Sequence, residues 1–292
     1  MKNKFLLIAL FSVIVFAFPA CTIEKSSPPA DNLDLAIEEV FVADLMEDVM
    51  EEAYNVIFDE SEYGILKSEE EEDAPDCKIK TVERPDAEVW TRIVTIDFGD
   101  GCEDKNGNIR KGKIIIVKVL KFKEEGSTRT VTFEDYYVND NKIEGTKVIT
   151  NTGRVDGFLV FSVELDHTKI TTQEGVVITR NASKTRTWIE GEDTPIGIDN
   201  VFLISGIVNK VNRDGVQITK TITDVVRARD CRWPLSGIVE ITTDNEWPDA
   251  VLDYGDGECD KWATVTIGEG EAAEVWTINL REKGIKWRKK DE

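Results

Sequence analysis

Histidine is almost missing: His167 is the only one in 292 residues. Any Ser-His or Cys-His catalytic arrangement would have to pass through that one residue, which sits in a strand-like stretch where a lone histidine is usually structural. No Gly-x-Ser-x-Gly elbow occurs, and no glycine loop opens a helix to cradle phosphate. Cys-x-x-Cys is absent too, so with His167 far from every cysteine, zinc lacks a ligand set. Basic residues are scarce: 36 Lys and Arg against 57 Asp and Glu give a formal net charge of −21. That balance excludes nucleic-acid binding, which needs clustered cations to displace counterions, and simple adhesion to anionic lipid. So many acids leave carboxylate-pair chemistry on sugars open, but nothing in their spacing nominates a pair.

The apolar run 5–18 is shorter than the ~20 residues of a membrane span. It follows Lys2 and Lys4 and ends at Pro19-Ala20-Cys21, the three-part layout of an export signal over 1–20. A cysteine directly after the small residue, followed by a linker over 21–30, resembles a bacterial lipoprotein signal. The resemblance implies that Cys21 is acylated by several chains of the palmitate class, enough for stable membrane anchoring.

Residues 31–59 read as an amphipathic helix. Leu35, Val42, Leu45, Met46, Val49, Ala53, Val56 and Ile57 recur at helical spacing, with Glu38, Glu39, Asp48, Glu51 and Glu52 between them. Asp31 or Asn32 supplies the cap. The stretch 60–76 is an acidic, solvated loop with five consecutive acids at 69–73. Together, 31–76 hold 18 acidic side chains against Lys67 alone.

From residue 77 onward the chain is rich in Val, Ile, Thr and aromatics, as in 113–119, 129–138, 142–150, 158–165, 175–180, 201–211, 216–226 and 237–242. Asn139-Asp140, Asp156-Gly157 and Asp214-Gly215 are hairpin turns between them. Gly145, Gly206 and Gly237 each lie near the opening of a strand, where glycine permits a bulge or a close backbone approach. The fold class expected is mainly β: a large curved antiparallel sheet or a two-layer β assembly, with one N-terminal amphipathic helix, over a β domain at 77–292.

A turn, Asp97-Phe98-Gly99-Asp100-Gly101-Cys102-Glu103-Asp104, returns as Asp253-Tyr254-Gly255-Asp256-Gly257-Glu258-Cys259-Asp260. Each copy follows an apolar run, a tryptophan (Trp90, Trp247) and an Asp-Cys pair (Cys77, Cys231). The β domain is therefore read as internally duplicated. Apart from Cys21, four cysteines remain, and an even number in an exported chain favours disulfides. Of three possible pairings the duplication selects Cys77–Cys102 and Cys231–Cys259, 25 and 28 residues apart. Asp97, Asp100, Asp104, Asp253, Asp256 and Asp260 are the carboxylates a Ca²⁺ ion would use. Their spacing matches no EF-hand, and Asp-Gly is common hairpin chemistry, so the turn reading is preferred and no metal or cofactor is expected.

The Asp-Phe-Gly-Asp-Gly turn resembles that of PKD-type immunoglobulin-like modules. The whole pattern, an anchor cysteine, an acidic β-rich body and the Asp-Phe-Gly-Asp-Gly-Cys turn, resembles exported lipoproteins of Bacteroidota, which implies an envelope location and no common activity. Trp188, Trp233, Trp247, Trp262, Trp276 and Trp287 are candidates for stacking on sugars, although tryptophan in a β core is commoner. The reading is a lipid-anchored envelope protein, in the outer membrane, with a non-enzymatic binding or assembly role toward envelope proteins or glycans. The alternatives are a carrier of a lipid or apolar ligand under a helix lid, and a carbohydrate-binding or carbohydrate-active protein.

Overall fold

The computed structural model describes residues 77–85, 88–104, 107–194, 197–280 and 288–289. The expected signal, acylation site, helix and acidic loop over 1–76, and Trp287, lie outside the described residues. The strands are β1 (Ile79–Glu83), β2 (Thr91–Asp97), β3 (Cys102–Glu103), β4 (Ile109–Val119), β5 (Thr128–Val138), β6 (Asn141–Val155), β7 (Phe158–Thr171) and β8 (Val177–Glu190). They continue as β9 (Val201–Val211), β10 (Gln217–Ala228), β11 (Ser236–Thr243), β12 (Ala250–Asp256), β13 (Trp262–Ile267), β14 (Glu274–Asn279) and β15 (Arg288–Lys289). All fifteen belong to one antiparallel sheet in sequence order, with β3 pairing β4 off the main path. β1 and β15 end the sheet, so it is not closed into a barrel.

Turn chemistry sets this meander. Asn139 and Asp140 both take positive φ (47° and 61°) between β5 and β6, as do Asp156 and Gly157 (52° and 90°) between β6 and β7. These are two-residue hairpins whose left-handed residues match the strand twist. The loops 172–176 and 212–216 share another closure, with Gly175 donating to Thr172 O and Gly215 to Asn212 O.

The strands are longer than their alternation suggests because β-bulges interrupt it. In β5, β7 and β10 the pairs Glu134-Asp135, Asp166-His167 and Thr223-Asp224 stand between inward residues, and register shifts there. Asp135, His167 and Asp224 have φ of 44°, 48° and 50°. Facing all three bulges are glycines: a Cβ on Gly112 would lie 2.0 Å from Asp135 O, one on Gly145 2.6 Å from Thr168 Cα, and one on Gly237 2.5 Å from Asp224 O. Each bulge bends its strand and raises its twist while returning the alternation to phase.

One face carries the core. Val94, Ile114, Ile116, Val131, Ile149, Phe161, Ile170, Ile178 and Phe202 form a continuous cluster from β2 to β9, and Val265, Trp276 and Ile278 a smaller one at β13 and β14. Phe122, in the β4–β5 loop, stacks on Phe161 at 4.7 Å between ring centres, and Trp188 lies 5.6 Å from Phe202.

Candidate functional site

The duplicated turns form two stapled hairpins. Cys77 is bridged to Cys102 (Cα–Cα 5.6 Å) and Cys231 to Cys259 (5.8 Å). In the first hairpin Ile79 of β1 faces Asp97 of β2; in the second Ile238 of β11 faces Asp253 of β12. Asp97 accepts a bond from Gly99 N–H (2.8 Å) and Asp253 one from Gly255 N–H (2.9 Å), so both acids close their turn onto the backbone. Asp260 does the same for Trp262 N–H at 2.8 Å.

Asp104, its counterpart in the first copy, is used differently. Its Oδ2 accepts from Arg110 Nε (3.0 Å) and Nη2 (2.8 Å), while Arg110 Nη1 donates to Tyr136 Oη (2.8 Å). Arg110 and Tyr136 are buried, and two nitrogens of the guanidinium converge on one carboxylate oxygen as charge-assisted bonds. Asp100 and Asp256 are exposed. Among the described residues no group of three or more His, Cys, Asp or Glu is arranged to hold a metal ion.

His167 and Asp166 occupy the β7 bulge, 2.7 Å apart and 88% and 70% exposed, away from the core. Of the tryptophans, Trp188 and Trp276 are buried, Trp233 and Trp247 are half-buried, and Trp262 is 48% exposed.

A feature absent from the sequence reading lies on the buried face. Residues directly opposite on neighbouring antiparallel strands share a face. Arg92 of β2 faces Lys118 of β4, and Lys118 faces Arg129 of β5, in register with the fully buried Ile116–Val131 pair. Trp90 lies against all three, with ring-centre distances of 4.7, 6.0 and 5.8 Å. Arg129 also donates to the carbonyls of Val119, Leu120 and Thr128.

Further along the sheet, Arg180 of β8 faces Lys210 of β9, flanked by the Ala182–Val208 pair. Lys184 and Arg186 follow in β8, opposite Gly206 and Ile204, and Lys220 and Arg227 in β10, opposite Val208 and Phe202. Lys147 in β6 joins them opposite Val131 and Leu165. Lys118, Arg129 and Lys210 are buried, and Arg180, Lys184, Arg186 and Lys220 half-buried. Burial pushes the Lys220 ammonium down to about 8 and lowers Arg180 from its ordinary value. Burial also raises the Tyr254 phenol, with Arg227 opposing the shift.

The carboxylates of these strands fall on the other face or in the bulges: Asp97, Lys113 and Glu134 form one cross-strand row, and Glu144 faces Lys169. The buried face is thus apolar with cations set among its side chains, a surface chemically suited to a partner both apolar and anionic.

Compared with protein-family models, curated proteins and solved structures, the chain matches none.

Proposed function

We propose that this is a lipid-anchored cell-envelope protein, held in the outer membrane through acylated Cys21, whose β body serves non-enzymatic binding or assembly with envelope proteins or glycans. The sheet is curved by its bulges, and residues 31–59 form an amphipathic helix packed on one side of it. The observation that carries the reading is the Ala20-Cys21 junction and the linker after it, standing ahead of an antiparallel β body whose outer face and edge strand β1 are exposed.

A second reading draws on the face where cations are interleaved with Ile, Val and Phe: a carrier of an anionic amphiphile held between that face and the helix, its tail on the apolar side chains and its head group on a row such as Arg180–Lys210. Native mass spectrometry of the protein isolated from its own envelope separates the two. A co-purifying protein or glycan is the expected result, and a bound lipid would favour the carrier. Sugar turnover lost on replacing one carboxylate would overturn the non-enzymatic reading. Intact mass of the same sample is expected to show acyl additions on Cys21, and an unmodified N-terminus at another residue would overturn the anchor.

A further inference from the structure

We infer that the occupant of the cationic face is residues 31–59 of this same chain, their apolar stripe lying on the Ile, Val and Phe positions and their carboxylates against the Lys and Arg rows. The inference deepens the reading of a helix packed on the sheet and does not depend on the envelope role.

Three observations carry it. First, every described strand belongs to a single sheet, yet Ile114, Ile116, Val131, Tyr136 and Ile143 on one of its faces have no exposure at all. Side chains of one face do not by themselves exclude water from that face; a second layer does.

Second, the charges correspond. Like charges directly opposite on neighbouring strands repel, and this face sets Lys118 against Arg129 and Arg180 against Lys210. Residues 31–59 carry ten Asp and Glu, no Lys or Arg, and an apolar stripe at helical spacing. One element would then supply both the apolar cover and the opposite charge.

Third, the lengths fit. A helix over 31–59 spans about 43 Å at ~1.5 Å per residue. Crossing from β2 to β10 at ~4.8 Å per strand takes roughly 34 Å. The chain enters the sheet at Cys77, fixed to Cys102 beside β4, and the intervening stretch 60–76 reaches up to about 60 Å when extended.

The test is zero-length carbodiimide crosslinking of the full protein as its host produces it, on an equal mixture of ¹⁴N- and ¹⁵N-labelled protein, followed by peptide mapping. Expected are isopeptide links from carboxylates of 31–59 to Lys118, Lys184 or Lys210, formed within chains of one label. Links to Lys113, Lys142 or Lys169 of the opposite face, or no link to the named lysines, would overturn the seat. Mixed-label links as abundant as same-label links would assign the face to a second copy and overturn the intramolecular occupant. Native digestion with a glutamate-specific protease gives an independent readout: cleavage after Glu38, Glu39, Glu51 and Glu52 is expected to lag far behind cleavage after Glu69 to Glu72, and equal rates would overturn the inference. A failed envelope role would leave these links in place, so the two readings fail separately.

Discussion

On the exposed face of β4 and β5, Lys113 stands opposite Glu134 with Nζ 2.8 Å from Oε1; further along the same two strands, on the buried face, Lys118 stands opposite Arg129. The first pair is complete within the sheet, and a hydrogen bond to Glu134 raises the Lys113 ammonium above its ordinary value. Lys142 is raised in the same way, first by the charge of Glu144. On the buried face burial dominates instead and takes Lys220 down to about 8. The exposed face thus balances its charge strand by strand. On the buried face, apart from the Asp104–Arg110 pair, cations stand opposite other cations or apolar residues of the neighbouring strands.

The comparison is broken most severely by removing apolar support from the buried face. Phe161→Ala is expected to cost roughly 3–5 kcal/mol in chemical denaturation, through lost burial and the cavity beside Phe122. Asp104→Ala should follow at roughly 3 kcal/mol or more, because it strands the buried Arg110, whereas Asp260→Ala at the matching position removes one turn bond and costs about 1 kcal/mol. Equal losses would mean that the two copies of the turn are energetically alike.

Reduction of either disulfide, or its replacement by serines, releases a loop of 25 or 28 residues and is expected to cost about 3 kcal/mol. Lys220 gives a smaller, pH-dependent effect. Its folded pKa of about 8 lies below the ordinary 10.5, so between those values the unfolded chain binds more protons. The stability this group contributes therefore rises from pH 8 to 10.5, and the advantage of Lys220→Met over wild type should shrink across that window. Lys113→Ala, on the exposed face, is expected to leave the denaturation midpoint unchanged.

Much of the exposed architecture was legible in the sequence. Asn139-Asp140 and Asp156-Gly157 are turns because those residues tolerate left-handed backbone, and the order of Cys, Trp and acidic turn picks out both stapled hairpins. The lengths of β7 and β8 were not legible, for two reasons. Asp166-His167 sets two polar residues side by side and looks like a strand end, when it is a bulge that restores the phase after one extra residue. Arg180, Lys184 and Arg186 occupy positions that alternation reserves for apolar residues, so the run seemed to stop at Arg180.

The same substitution of cations for apolar residues hid the candidate site, because a lysine in a strand reads as solvent-facing until register places it beside Ile or Val. β1 was missed since all five of its residues are exposed at the sheet edge. Asp104 looked like one acid among several, and its partnership with Arg110 and Tyr136 depends on β3–β4 and β4–β5 pairing that no local pattern encodes.

The two-faced sheet is tested most directly by residue-resolved amine acetylation of the native protein near neutral pH, read by mass spectrometry. Lys113, Lys142 and Lys169 on the exposed face are expected to label rapidly, and Lys118 and Lys210 on the buried face only after unfolding. Native labelling of the second group as fast as the first would contradict the account.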